Sequence, residues 1–278
     1  MADHDSHWRG KRVLITGCTG FLGGAVAREL FACGAEVVGL IHQRPGTTIF
    51  GAGQAGRVHF VHGRADNVFR LHSAMAVHEV AAVFHLASEG VFGAEGGTHA
   101  VIQAAKLYSR RVPVVTARPL QQLAIARTEE MYEDRLSVVR FGELFGPGDR
   151  KLFRVVPATA MALLAGEAPT MPTDGPARDF VFIRDAARAC LLAAKAAATR
   201  GPESYSFRSG WLLTERQMAV GVRNVHACHS VDIPDTAGPI NPLGWQPAQS
   251  LTEAIDETLA WYRAYLQTGC ADVLPAAA

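Results

Sequence analysis

A glycine-spaced turn near the start of the chain, "TGCTGFLGG" (16–24), restricts the fold more than any other segment. It follows "RVLITG" (12–17), a β-branched run ending in glycine that reads as a buried parallel strand. It opens "FLGGAVARELFACG", where apolar residues recur at helical spacing up to a glycine stop. In such a strand–turn–helix, Gly17, Gly20 and Gly23 permit the tight turn, the close approach of a pyrophosphate, and close packing of helix on strand. The helix start adds unpaired N–H donors and the positive end of its dipole. With Thr19, Phe21 and Leu22 these residues form a candidate dinucleotide cradle; a glycine-rich turn without a ligand is the alternative.

Further strands are expected in "AEVVGLI" (35–41), "RVHFVHG" (57–63), "VAAVFHLA" (80–87), "VPVVTA" (112–117) and "LSVVRFGELFG" (136–146). Helices are expected in "GTHAVIQAAKLYSRR" and in "RPLQQLAIARTEEMY" (118–132). Strand alternating with helix implies an α/β fold of Rossmann type, a doubly wound parallel sheet covered on both faces. After "GPGD" (146–149) the rhythm breaks. Residues 1–149 are therefore read as the NAD(P)-binding domain and 150–278 as a smaller mixed substrate lobe, with strand and helix 178–198 returning to the main sheet. The last helix, "SLTEAIDETLAWYRAYL", starts at a Ser-x-x-Glu capping box (Ser250, Glu253), and "DVLPAAA" is read as a frayed tail.

Composition narrows the function classes. Apolar residues make up 49% of the 278, enough for a substantial core, and the formal net charge is +1 with both signs interspersed. No basic stripe points to nucleic acid, and no apolar run of membrane-spanning length occurs. The five cysteines form no CxxC pair and the histidines do not cluster at ligand spacing, so neither a disulfide framework nor a metal site is expected. The polar N-terminus lacks a secretory h-region; a cytoplasmic location is the expectation.

The ordered set "TGCTGFLGG", "VFHLAS", "GTHAVIQAA", "FGPGD", "ARDFVFIRDAARA" and "LGWQPAQSLTEAIDETLAWYRAYL" resembles the extended short-chain dehydrogenase/reductases, in the nucleotide-sugar 4,6-dehydratase and 4-epimerase branch. The stretch "LFRVVPATAMALLAGEAPTMPTDGPARDF" is especially similar to CDP-glucose 4,6-dehydratases. The resemblance implies a tightly held nicotinamide cofactor and transient oxidation of a sugar hydroxyl, followed by epimerisation or loss of water. It also implies cofactor contacts at Leu86 and Ala87, a substrate contact at Ser88, and a homodimer built on the helices after the fourth and fifth strands. Arg178 matches the arginine that such enzymes set against a substrate diphosphate, where a guanidinium offers a bidentate fork.

The chain departs from that pattern at the acid/base centre. The family uses Tyr-x-x-x-Lys, the cation drawing the phenol's pKa down. None of Tyr108, Tyr132, Tyr205, Tyr262 and Tyr265 has a lysine four residues on, and the lysines are Lys11, Lys106, Lys151 and Lys195. Gln122 or Leu123 stands in place of the tyrosine and Ala126 or Arg127 in place of the lysine. Three residues are candidates for the work. Glu89 matches a family glutamate that points towards the substrate, Glu143 stands where a substrate-contacting asparagine is usual, and Thr116 is placed to donate to a reacting oxygen. A solvated carboxylate at position 89, a pairing of Glu143 with Arg140 or Arg150, and a structural threonine are the plain alternatives. At the cofactor's ribose, the second strand ends "GLIHQR" without an acidic residue; His42 and Arg44 suit a 2′-phosphate and tip the choice between NAD and NADP slightly towards NADP. The family's adenine-contacting aspartate reads Arg64, with Asp66 as its substitute by a register shift. The short segment 221–241 implies a contracted nucleotide clamp and a weakly held nucleotide sugar, or a smaller nucleoside or glycoside.

Three readings follow: a sugar-modifying NAD(P)-dependent enzyme with a rebuilt acid/base set, an inactive NAD(P)-binding redox sensor or partner subunit, and a non-redox elimination or cyclisation on the same fold.

Overall fold

The computed structural model describes residues 6–42, 57–87, 94–109, 111–120, 134–231 and 240–268. They form two compact units, Met1–Arg140 with Ala187–Ser206, and Phe141–Ala186 with Phe207–Ala278.

The first unit is built on a seven-stranded sheet. Its order is β3 (Val58–His62), β2 (Glu36–Ile41), β1 (Arg12–Thr16), β4 (Ala82–His85), β5 (Val114–Pro119), β6 (Leu136–Phe141) and β9 (Ser204–Ser206). β1 runs parallel to both β2 and β4, β3 parallel to β2, β5 parallel to β4, and β9 parallel to β6. The central strands β1, β2, β4 and β6 are mostly buried apolar runs because helices cover the sheet. Leu14, Val38, Val83 and Val114 share one core cluster with Leu71 and Met75 of α2 (Val68–Val77) and with α3 (Ala94–Tyr108). Their sequence neighbours Ile15, Phe84 and Val115, wholly buried, alternate to the other face. Glu29 of α1 (Phe21–Ala32) accepts a hydrogen bond from Arg188 of the long helix α5 (Ile183–Arg200) at 3.2 Å. Since β2 and β4 flank β1, the strand order reverses there, which opens a crevice at the carboxyl ends of β1 and β4.

The second unit holds a three-stranded sheet in which β8 (Arg178–Phe182) lies between β7 (Glu143–Phe145) and β10 (Leu212–Leu213). Its helices are α4 (Val155–Leu164), α6 (Glu215–His226) and α7 (Leu251–Thr268). Phe145 packs against Phe182 and Trp211, and Phe207 against Trp245 at 5.4 Å between rings. The expected capping box forms: the Ser250 amide donates to Glu253 at 2.7 Å and the Glu253 amide to Ser250 Oγ at 3.3 Å. A second box, Thr214 with Gln217, starts α6, which the sequence reading left unassigned.

The division between the compact units falls at Arg140/Phe141, where the chain passes through Gly142 into β7; a Cβ there would collide with the Asp179 carbonyl oxygen of β8. Two expectations are corrected. Because of that close approach, strand 178–182 belongs to the second sheet, and the segments that return to the first unit are residues 187–200 of α5 and β9. Finally, Arg118 and Pro119 extend β5 and do not start a helix, since a residue before proline is driven out of the α region; residues 121–133 lie outside the described segments.

Asp179 is the polar pin of the second unit. Buried on β8, it accepts from the Ser209 amide (3.1 Å), the Ser209 hydroxyl (3.1 Å) and the Gly210 amide (2.9 Å), and so fixes the turn that leads into β10. Asp179→Ala leaves the Ser209 and Gly210 amides without their acceptor, while the Ser209 hydroxyl keeps the Phe180 carbonyl at 2.7 Å. It is expected to cost about 2–4 kcal/mol in urea unfolding, with Asp179→Asn, which keeps one acceptor oxygen, costing less.

Candidate functional site

The glycine turn sits at the end of β1. Gly17 has φ +76°, a conformation open to glycine, and a Cβ there would lie 2.6 Å from the Ala87 amide nitrogen just beyond β4. The Gly20 amide closes the turn on the Gly17 carbonyl at 2.9 Å, and the Leu86 amide bonds the Thr16 carbonyl at 3.0 Å. A Cβ at Gly23 would collide with the Gly17 carbonyl oxygen, so the first turn of α1 lies tight on the strand end. Gly20 is the N-cap and provides no side-chain cap, and the first turn holds no acidic residue. The leading amides of Phe21, Leu22 and Gly23 are thus those a helix start leaves without intrahelical acceptors, beside exposed Thr19 and Gly20. This suits an anion: donors and dipole converge at a glycine N-cap that has no side chain of its own to occupy them.

Beside the turn, three polar residues stand in one row across the sheet. Thr16 pairs in register with His85, and His85 with Thr116. The Thr16 hydroxyl lies 2.7 Å from His85 Nδ1, Thr116 Oγ1 donates to the His85 carbonyl at 2.9 Å, and Arg118 Nη1 donates to Thr116 Oγ1 at 3.2 Å. Gly97 of α3 faces the far edge of the imidazole, where an added Cβ would lie 3.6 Å from Nε2. Burial, assisted by the Arg118 charge, pushes the His85 pKa down to about 4. Thr116 is wholly buried with its hydrogen given to a backbone carbonyl, so the expected donor to a reacting oxygen is already engaged. Nothing in the spacing marked His85 or Arg118; the row exists only through strand register. Cys18 is likewise a packing residue: its sulfur fills the space over Gly39 of β2, and burial raises its pKa to about 12.

At the edge towards β3, His42 is exposed just after β2. Asp66 is held by Arg64 through contacts of 3.0, 3.2 and 2.6 Å, and this guanidinium keeps the Asp66 carboxyl below its ordinary pKa. Arg44, Ser88 and Glu89 lie outside the described residues.

In the second unit, Glu143 and Arg178 meet. Arg178 Nη1 donates to Glu143 Oε1 at 3.1 Å and lies 3.5 Å from Glu215 Oε1. Glu143, with about a third of its side chain exposed (32%), is therefore not a lone desolvated carboxylate, and its partner is neither Arg140 nor Arg150. The three charged groups line a pocket of about 300 Å³ together with Asp149 and Arg154, which are themselves paired at 3.3 Å. Burial raises the Asp149 pKa, against the opposing pull of the Lys151 amide and Arg154. Among the described residues no group of His, Cys, Asp and Glu could hold a metal ion, and no helix is long and apolar enough to cross a membrane.

Residues 13–135 and 117–206 match the family described as NAD dependent epimerase/dehydratase. The chain belongs to that family. A search of curated proteins finds no match. Among solved structures, dTDP-glucose 4,6-dehydratase from Bacillus anthracis in complex with NAD is 16% identical, with a TM-score of 0.75 over 93% of this chain and 98% of that one. UDP-glucose 4-epimerase from Thermotoga maritima is 18% identical, with a TM-score of 0.72 over 92% and 100%. The Bordetella bronchiseptica enzyme WbmF, in complex with NAD+ and UDP, is 18% identical, with a TM-score of 0.73 over 94% and 95%. At such identities the likeness speaks for the fold. This epimerase/dehydratase chain retains the glycine turn yet has no Tyr-x-x-x-Lys pair anywhere in its sequence.

The buried histidine makes acid sensitivity testable. The unfolded imidazole titrates near the ordinary 6.5 and the folded one near 4, so between these values the unfolded state binds a proton that the folded state refuses. Stability is whole above about pH 6.5 and falls as the pH drops towards 4, by up to about 1.4 kcal/mol per unit from this group. Urea unfolding at several pH values checks this: wild type is expected to lose more stability between about pH 7 and 4.5 than His85→Gln, which cannot titrate.

Proposed function

We propose that the chain is an NAD(P)-dependent sugar-modifying enzyme of dehydratase or epimerase type. It would oxidise a carbinol transiently on a nucleotide sugar, nucleoside or glycoside, using a non-standard acid/base set. The single observation that carries the reading is the turn at 16–24: left-handed Gly17, uncapped Gly20 and packed Gly23 together present the leading amides of a helix whose first turn holds no acid. A chain with no use for a dinucleotide has no need of all three. The structures crystallised with NAD, from Bacillus anthracis and Bordetella bronchiseptica, share the fold and support the same cofactor class here.

Gly17, Thr19, Gly20, Phe21, Leu22 and Gly23 would hold the pyrophosphate, with Leu86 and Ala87 bordering it and Asp66 at the adenosine end. His42 and Arg44 would face the ribose 2′ position, where a preference for NADP has its basis. A nicotinamide bound there supplies hydride acceptance and return. The proton leaving the carbinol needs a base within hydrogen-bond reach, and Glu89 is assigned that work, with Glu143 the other candidate and Ser88 a substrate contact. Arg178 would orient the substrate. A second reading, a cofactor-binding module without turnover, is favoured by the absent Tyr-x-x-x-Lys pair and by the engaged Thr116 hydroxyl.

Absorbance at about 340 nm decides between them. With bound nucleotide released and identified, candidate sugars and nucleosides are added to the loaded protein. A transient rise and decay is expected, and Glu89→Gln is expected to slow turnover about a hundredfold or more, the scale of general-base catalysis. Bound cofactor that never changes moves the assignment to the silent module or to non-redox chemistry. Calorimetry that detects no uptake of either coenzyme ends the proposal.

A further inference from the structure

The polar row of the first unit ends in a positive charge. The crevice opens at the carboxyl ends of β1 and β4, and β5 is the next strand along. His85 of β4 pairs in register with Thr116 of β5. Two residues further along each strand come Ala87, packed against Gly17, and Arg118. Arg118 therefore stands on the strand end beside the glycine turn, on the side away from β2 and β3.

Its guanidinium is held in place. Residues 116 and 118 share a face of the strand, and Arg118 Nη1 donates to Thr116 Oγ1 and to the Ala117 carbonyl, each at 3.2 Å. Both acceptors are neutral, and the side chain is only partly exposed. Its field reaches the neighbouring strand: after burial, the Arg118 charge is the second cause that keeps the His85 imidazole neutral. A dinucleotide crosses the crevice where strand order reverses. With its adenosine end towards β2 and β3, as proposed above, its other half has to run towards β5.

We propose that Arg118 is the electrostatic element of the reaction centre, a fixed cation at the nicotinamide half of the crevice that makes the bound cofactor a stronger oxidant. The inference rests on the reading of the chain as an NAD(P)-dependent enzyme and adds a residue to its machinery. Oxidation of the carbinol moves a hydrogen with its bonding pair from carbon to the nicotinamide, and a proton from oxygen to the base. The carbinol becomes a ketone, and the positive charge of the oxidised ring disappears. A guanidinium beside the ring favours that direction because it repels the ring only before the transfer. Between unit charges within about 10 Å, at an effective dielectric of about 20, such repulsion changes an equilibrium about tenfold.

The test needs no substrate. Calorimetry on the full-length chain gives the dissociation constants of NAD+ and NADH, with NADP+ and NADPH alongside, for wild type, Arg118→Lys and Arg118→Gln. Wild type is expected to hold the reduced coenzyme more tightly than the oxidised one. The ratio of the two constants is expected to fall about tenfold in Arg118→Gln and to stay within about threefold of wild type in Arg118→Lys, which keeps the charge. Arg118→Met repeats the neutral substitution if the glutamine variant folds poorly. A merely structural arginine would weaken both forms alike, so an unchanged ratio in a folded neutral variant overturns the inference. It is overturned equally by a lysine variant that behaves like the neutral ones, or by a wild type that binds the oxidised form as tightly as the reduced. Failure of every coenzyme to bind ends the cofactor reading as a whole, whereas binding with an unmoved ratio removes only the role of Arg118.

Discussion

The contact on which the first unit depends is the meeting of two backbones, where the turn after β1 lies against the residues after β4. Gly17 leaves no room for a side chain beside Ala87, and Gly23 leaves none beside the Gly17 carbonyl. Because both approaches are made by main chain, α1 can start close to the strand ends, and its unpaired amides converge on the crevice where strand order reverses. A larger residue at position 17 or 23 would push the helix away and scatter those donors. The anion-binding character of this place is thus a consequence of packing, available before any ligand is considered.

The polar row at the end of β1, β4 and β5 serves the same place from below. A buried histidine between two threonines is costly unless its polar atoms are matched. The Thr16 contact at 2.7 Å matches one nitrogen, while Thr116 satisfies the His85 carbonyl. The row ties three neighbouring strand ends together without using their backbone ladder. The sequence has no Tyr-x-x-x-Lys pair, and the two threonines and the histidine at this edge hold the sheet's shape. On the proposed reading the acid/base chemistry would come from side chains elsewhere, which is why the carboxylates at positions 89 and 143 bear the weight of the functional proposal.

Much of the architecture could be read from local pattern. Buried parallel strands appear as apolar β-branched runs, and the Ser250–Glu253 cap is a three-residue spacing that forms as read. The glycine loop is legible for the same reason, since its requirement is steric and each glycine answers to a neighbour close in the chain or to one predictable strand. Other features were hidden. Glu143 reads as a solitary acid with Arg140 or Arg150 nearby, yet its partner is Arg178, 35 residues away, because β7 and β8 pair side by side. The helix pattern from residue 118 was misleading at its start, where Pro119 holds Arg118 in an extended strand.

The sequence by itself determined the glycine turn, the alternation of strand and helix, and the loss of Tyr-x-x-x-Lys, because these depend on residue identity at fixed short spacing. Tertiary structure alone decided that strand 178–182 joins a second sheet, that His85 is buried and neutral between two threonines, and that Arg178 is shared by two glutamates. Such outcomes depend on which strands lie side by side and on what they exclude from water. Strand pairing is a long-range choice made by the whole packed unit, and no local pattern encodes it.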